Sequence, residues 1–398
     1  MRIRALETIR LDEFENLIWL HVHTDEGLTG LGETFFMPRA VEAYVHETLA
    51  PRLIGRDPRA IDRIARDVAG YLGYRSSGVE MRGNSMLDIA LWDILGKLTG
   101  QPLAQLLGGF SRDRIRTYNT CAGPVYMRRN EGQRVANYGV GEGGELDDLS
   151  GFLTRADELA ESLLAEGITA MKIWPFDAAA ERNNGLYISP AEMRAALEPF
   201  ERIRRRVGDR VDVMVEFHGL WQLGPAMRIA EALRPFNTFW HEDPIRLDSL
   251  GSLRRYAAVS PAPVCGSESL ATRWGFRDLL ETEAAGIVML DVAWCGGISE
   301  ARKIAAMAEA WHLPIAPHDC TGPVVLAAST HLSLNATNGL VQESVRAYRR
   351  GWYGDLVTIV PPVEDGYITV PPGPGLGLEL APDLDRRFTA TRRISDTA

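Results

Sequence analysis

Three glutamates recur at one fixed interval in this chain: Glu216 in VMVEFHG, Glu242 in WHEDP and Glu268 in CGSES, with 242 − 216 = 26 and 268 − 242 = 26. Each closes a short apolar run (VDVMV, NTFW and APVC) and each is followed by a helical pattern. The repeating unit is therefore strand, acidic end, helix. Parallel strands joined by right-handed helical crossovers put their C-terminal ends on one face, so the three carboxylates are expected to converge. Unpaired, they would repel one another and raise each other's pKa. A divalent cation removes that cost, and an all-oxygen ligand set suits Mg²⁺. Three separate surface or salt-bridged glutamates are the plainer alternative. Their common register at strand ends favours the metal site.

The rest of the chain divides around this repeat. Residues 1–35 alternate apolar and polar, and NLIWLHVHTDEGLTGLGE reads as strand, Asp-Glu-Gly turn, strand. Residues 38–108 keep helical spacing. In the last of these helices Met86, Ile89, Ala90, Asp93, Ile94 and Lys97 follow one another, before Gly100 and Pro102 end it. Strands followed by helices predict an α+β domain over 1–112. From 113 to about 355 strand and helix signals alternate, with strands near 117, 172, 214, 240, 265, 290, 316 and 342. Eight such units predict a parallel α/β barrel of the TIM type. An open doubly wound sheet is the alternative, but an early Gly-rich phosphate loop is lacking. The segment 124–150 is long for a strand-to-helix loop and is expected to lie over the site. Residues 356–398 form a Gly- and Pro-rich tail, expected to be extended.

With 398 residues, the chain accommodates a barrel of about 250 residues plus a second domain. A net charge of −10 argues against nucleic acid and anionic membranes as partners. No apolar run approaches the roughly 18 residues of a membrane span, and the opening MRIRALETIRLDEF lacks the apolar core of a secretion signal. The four cysteines have no CxxC spacing and read as reduced packing residues of a cytoplasmic protein.

Each barrel strand from the second to the eighth carries a polar residue near its end: Lys172, Glu216 with His218, Glu242, Glu268, Asp291, His318 and Glu343. In a barrel such positions read as catalytic. Singly, the readings are blander. Lys172 suits a salt bridge, Asp291 a helix cap, His318 a hydrogen-bonded core position, and Glu343 a structural ion pair. Together they fit removal of a weakly acidic proton beside a carboxylate. The metal and Lys172 would neutralise charge on the carboxylate oxygens, His318 would take the proton with Asp291 orienting it, and Glu343, protonated or hydrogen-bonded, would act from the other side.

These residues stand in longer motifs: TDEGLTGLGE, LDIALWDILGKLTGQPLAQLLGG, MKIW, VEFH, HEDP, SES, LDVAWCGGIS, PHD, QES and DGYITVPPGPGLGLEL. The set resembles the enolase superfamily, in its mandelate racemase subgroup, over nearly the whole chain. The resemblance implies a modified TIM barrel, (β/α)₇β, with an N-terminal α+β capping domain completed by the C-terminal tail, and cap loops near 20–36 and 70–82 over the substrate. It implies Mg²⁺ on Glu216, Glu242 and Glu268, and an acid-sugar substrate. A homo-oligomeric assembly is expected. Two positions depart from the subgroup's pattern: the first metal ligand is usually Asp rather than Glu216, and racemases carry a second basic lysine where this chain has Trp174 in Lys172-Ile173-Trp174. The expected activity is therefore dehydration of an aldonate or aldarate to a 2-keto-3-deoxy acid, with His218 as the acid that assists loss of water. A racemase, epimerase or cycloisomerase is the nearest rival, and a non-catalytic sugar-acid-binding protein the rival from another class. Trp174, Trp294, Tyr74 and Arg75 are candidate substrate contacts.

Overall fold

The computed structural model describes residues 1–69 and 77–396. Tyr74 and Arg75 lie outside the described residues. The chain begins with three antiparallel strands, β1 (Ile3–Leu11), β2 (Leu17–Thr24) and β3 (Thr29–Phe35), joined between β2 and β3 by the turn containing Asp25, Glu26 and Gly27. The sheet gains a fourth strand from the far end of the chain (Ala390–Asp396), which runs antiparallel to β1. On β3, Gly30 and Gly32 admit the helix Val79–Thr99 at backbone contact: a Cβ on Gly32 would fall 2.0 Å from the Met86 carbonyl oxygen. That helix is buried along most of its length and stops at Gly100, whose φ of 66° takes the left-handed conformation that ends a helix without a Cβ penalty.

The second sheet is built from parallel strands in sequence order: β4 (Ile115–Thr120), β5 (Ala170–Ile173), β6 (Asp212–Glu216), β7 (Trp240–Glu242), β8 (Val264–Gly266) and β9 (Ala285–Val288). It continues through single bridges from Val288 to Ile315 and from Ile315 to Gly339, and closes where β10 (Gln342–Ser344) pairs with β4. Helices follow the first seven positions, and only short helices follow β10, the (β/α)₇β pattern. Two strands differ from their expected form. The strand placed near 290 ends at Val288, so Asp291 stands in the loop beyond it. The strand near 316 is reduced to a bridge at Ile315, because Pro314 and Pro317 flank it and supply no N–H to a ladder. The inside of the barrel is filled by Tyr118, Ala170, Met214, Trp240, Cys265, Ile287, Met289, Ala316 and Val341, all buried. It is a packed core with its chemistry at one end.

The tail is divided between the two parts. A two-residue hairpin, Val363–Glu364 with Tyr367–Ile368, adds antiparallel to β4, and the last strand joins the cap sheet. Buried carboxylates fasten cap to barrel. Glu33 accepts the Trp19 indole N–H at 2.6 Å and the N–H groups of Val324 and Val325 at the start of the helix Pro323–Asn335. Asp88 accepts the N–H and the hydroxyl of Ser299. Burial pushes Glu33 up to about 8 and Asp88 up to about 7, against the pull of those hydrogen bonds.

Candidate active site

Glu216 and Glu242 end neighbouring strands and are paired in register, which sets their side chains side by side at the barrel mouth. Glu268 follows two residues after β8. Each of the three offers a carboxylate oxygen, and these oxygens lie within 4.8 Å of one another. The protein spends little of its hydrogen bonding on them. Glu216 Oε1 accepts the N–H groups of Phe217 and His218, and Glu242 Oε2 accepts the indole N–H of Trp240 from the barrel core. Among the described residues no metal-ligand cluster other than this one and a Glu-His-His group in the cap is present.

Lys172 projects from β5 into this cluster and is 3% exposed. Its Nζ lies 2.6 Å from Glu242 Oε1, 3.0 Å from Glu343 Oε1 and 3.4 Å from Glu216 Oε2. Burial opposes its charge, but these carboxylates outweigh burial and raise its pKa, so it stays an ammonium. The Glu242 pKa is pushed up as well, by burial and by the neighbouring Glu216 carboxylate. A lone lysine among several acids leaves negative charge in excess. An oxygen-only donor set with that excess fits a hard divalent cation held by Glu216, Glu242 and Glu268.

Glu343 takes up the ion pair that its position allows. It accepts the Thr120 hydroxyl and the Asp319 N–H, the latter at 2.7 Å, besides pairing with Lys172. Burial would raise its pKa, but Lys172 and His318 hold it well below the usual carboxylate range. These contacts favour its ionised form and make it an anchor for Lys172.

Two histidines line the cavity beside the carboxylates. His318 donates its Nδ1–H to Asp291 Oδ2 at 2.8 Å, and its Nε2 lies 3.1 Å from Glu268 Oε2. Asp291 is fully buried, and its other oxygen accepts the Ala293 N–H. Burial alone would lower the imidazole's pKa; Glu268, Glu343 and Asp291 together raise it. His218 sits opposite in character. Its strand ends at Glu216 and its own φ is 49°, so the alternation expected of an extended strand does not place it. A left-handed turn does, and Asp177 then fixes the ring, with Oδ2 2.7 Å from Nδ1. The same oxygen accepts the Tyr138 hydroxyl at 2.7 Å. Burial again opposes the charge, while Asp177 and Glu216 raise His218 to about 9.

The walls are aromatic. Trp174 packs edge-on against His218 at 5.7 Å between ring centroids, and Trp294 lies over His318 at 5.1 Å. Both indoles are buried and line the cavity, and neither indole N–H has a hydrogen-bond partner among the described residues. Tyr126, Met127 and Gln133, from the long segment after β4, complete the lining with Phe35 and Phe36 from the cap. That segment therefore reaches over the barrel mouth. Sequence reasoning did not single out Asp177, Tyr138 or Gln133. Asp177 reads as an acidic first residue of a short helix, and nothing in the spacing ties Tyr138 to His218.

No helix among the described residues is long and apolar enough to cross a membrane. Residues 8–108 match the family model described as mandelate racemase / muconate lactonizing enzyme, N-terminal domain, and residues 155–384 match the one described as enolase C-terminal domain-like. The chain is similar to a D-galactonate dehydratase of Ralstonia nicotianae, at 32% identity over 96% of this chain and 92% of that one. It is also similar to a D-galactonate dehydratase of Xanthomonas campestris pv. campestris, at 33% identity over 93% of this chain and 90% of that one. Among solved structures it resembles an enolase of the mandelate racemase subgroup from Agrobacterium tumefaciens, at 64% identity and a TM-score of 0.90, covering 100% of this chain and 99% of that one. An enolase protein from the Sargasso Sea environmental genome superposes with a TM-score of 0.89 at 43% identity, covering 100% of this chain and 99% of that one. With cap and barrel both matched, the chain belongs to the mandelate racemase / muconate lactonizing enzyme family, in the mandelate racemase subgroup of the enolase superfamily.

Proposed function

We propose that the chain is a Mg²⁺-dependent acid-sugar dehydratase, which removes the α-proton of an aldonate or aldarate and expels the β-hydroxyl as water to give a 2-keto-3-deoxy acid. The observation that carries this reading is the pair of histidines, each held by its own aspartate, on one cavity beside a carboxylate cluster. Elimination of water needs a base for the α-proton and an acid for the poor leaving group. The relatives at 32–33% identity are named D-galactonate dehydratases, which makes six-carbon aldonates the first substrates to assay.

Glu216, Glu242 and Glu268 hold the cation in this reading. When bound, it neutralises negative charge that builds on the substrate carboxylate. Lys172, fixed by Glu343, orients that carboxylate and shares the neutralisation. His318, in its neutral form, takes the α-proton through Nε2, and Asp291 stabilises the imidazolium that forms. His218, protonated and oriented by Asp177, donates a proton to the departing β-hydroxyl. The enol left behind gains a proton at the former β-carbon and becomes the 2-keto acid. Trp174 and Trp294 wall the cavity beside the two histidines.

The racemase reading has a specific obstacle, since Trp174 stands where a second lysine base is needed and an indole accepts no proton. Screening an acid-sugar library for keto-acid product, with deuterium wash-in at the α-carbon monitored in parallel, tests the proposal. Product and wash-in together are expected. Wash-in with inverted substrate and no keto acid would establish the racemase; neither signal with tight binding would establish a binding protein.

A further inference from the structure

Outside the barrel mouth, one other group of side chains among the described residues is arranged as ligands. On the cap sheet, Glu7 of β1 stands directly opposite His21 of β2, and His23 lies two residues further along β2. Residues two apart on a strand share a face, so all three project to the same side. Glu7 Oε2 is 3.6 Å from His21 Nδ1 and 2.8 Å from His23 Nε2, and the three donor atoms lie within 4.8 Å of one another. Bonds of about 2.0–2.1 Å at tetrahedral angles set ligand atoms about 3.3 Å apart, and the two measured separations straddle that value.

We propose that Glu7, His21 and His23 form a second metal site, which takes a borderline transition ion such as Zn²⁺ and clips β1 to β2. The set is two imidazoles and one carboxylate, a known zinc donor set that leaves one coordination position open. The surroundings suit it. His23 Nδ1 is held by the Thr29 hydroxyl at 3.1 Å, which leaves Nε2 for the ion, and Glu7 Oε1 is held by Arg392 at 2.8 Å. Such outer partners fix ring orientation in metal sites. Burial keeps His21 below its ordinary pKa, so its ring is neutral as a ligand requires; burial opposes the ionisation of Glu7, but Arg392 and His23 keep it a carboxylate. With side-chain exposures of 10%, 18% and 23%, the three remain open to solvent on one side, where water completes the set. The two clusters of this protein thus sort cations by chemistry: oxygen-only at the barrel mouth for Mg²⁺, nitrogen-rich on the cap for Zn²⁺. A plain ion network among Glu7, His23 and Arg392 is the competing account.

The test uses the full chain loaded with Mg²⁺. Crystals soaked in zinc chloride are measured at the zinc absorption edge, and anomalous density is expected between the three cap side chains. Equilibrium dialysis of zinc against excess Mg²⁺ is expected to give one equivalent that His21→Ala/His23→Ala loses. Removing an outer partner alone costs about 10–100-fold in affinity, so Thr29→Val should weaken that equivalent about tenfold and Glu7→Gln by more than a hundredfold. Circular dichroism checks the fold of each variant. Zinc density confined to the acidic cluster, or equal zinc binding by wild type and a folded Glu7→Gln or double-histidine variant, overturns the proposal.

Discussion

The two histidine–aspartate pairs at the barrel mouth share a local geometry, Nδ1 to Oδ2 at 2.8 Å for His318–Asp291 and 2.7 Å for His218–Asp177, yet they are embedded differently. His318 is pressed among carboxylates: Glu268 lies at its Nε2, and Glu343 adds to the field that favours its charge. Its aspartate is fixed by a backbone N–H beside the strand end. His218 leans on Trp174, and its aspartate shares one oxygen with Tyr138 from the loop over the mouth. One pair belongs to the barrel and borders the cation ligands. The other belongs to the loops and borders the aromatic wall of the cavity. In the proposed mechanism the same dyad serves two proton transfers in opposite directions.

The comparison is broken most completely by taking away what lies between the pairs. Dialysis against EDTA is expected to abolish both α-proton exchange and keto-acid formation, and Mg²⁺ to restore both. Full activity in a metal-free preparation would show that the carboxylate cluster is only structural. Next in size is His318→Asn, expected to lower elimination by about 10⁴, the upper end for a general base, and to abolish deuterium wash-in. Wash-in that persists in this variant would make His218 a second base and revive the racemase. His218→Gln should lower elimination by about 10²–10⁴ while exchange continues, since Lys172, His318 and the cation ligands are untouched. Exchange and elimination falling together would mean that His218 supports the site as a whole. The aspartates come below their histidines. Asp291→Ala and Asp177→Ala are each expected to cost about 10–100-fold as orienting partners, Asp291→Ala in both readouts and Asp177→Ala in elimination alone.

The same contrast explains which parts of the site could be read from the chain. Glu216 and Glu242 close their strands, Lys172 lies one residue inside the end of its own, and Glu268 and His318 follow within three residues of theirs; in a parallel barrel the end of a strand is a position in space. The periodicity of the strands therefore carried the site with it, including the Asp291–His318 pair 27 residues apart. Where backbone departs from the repeat, the inference weakens. His218 is expected at the mouth from its place beside a strand end, and a positive φ after the strand has ended is what turns it there. Asp177 and Tyr138 are brought to it by loop conformation, which has no period to read. The strand expected near 316 is reduced to bridges at Ile315 because Pro314 and Pro317 supply no N–H to a ladder. Glu343 shows a further limit: its place at a strand end was legible, but its ionised state follows from Thr120, Asp319 and Lys172 around it, contacts that only the folded chain supplies.

The smallest expected effect is the most discriminating for the loop-borne pair. Tyr138 donates its hydroxyl to Asp177 Oδ2, the oxygen that also holds His218 Nδ1. Tyr138→Phe removes that donor and leaves the carboxylate, whose Oδ1 already lacks a partner among the described residues, with His218 alone. Elimination is expected to fall by about tenfold, the lower end for an orienting partner, with exchange at the wild-type rate. A small loss in one readout does not by itself separate positioning from direct contact with substrate, but coupling does. If Tyr138 works only through His218, then Tyr138→Phe in a His218→Gln background should cost nothing more, because the group it positions is gone. If the two losses multiply, Tyr138 acts independently of the histidine, and the chain Tyr138–Asp177–His218 is a set of neighbours without a shared role.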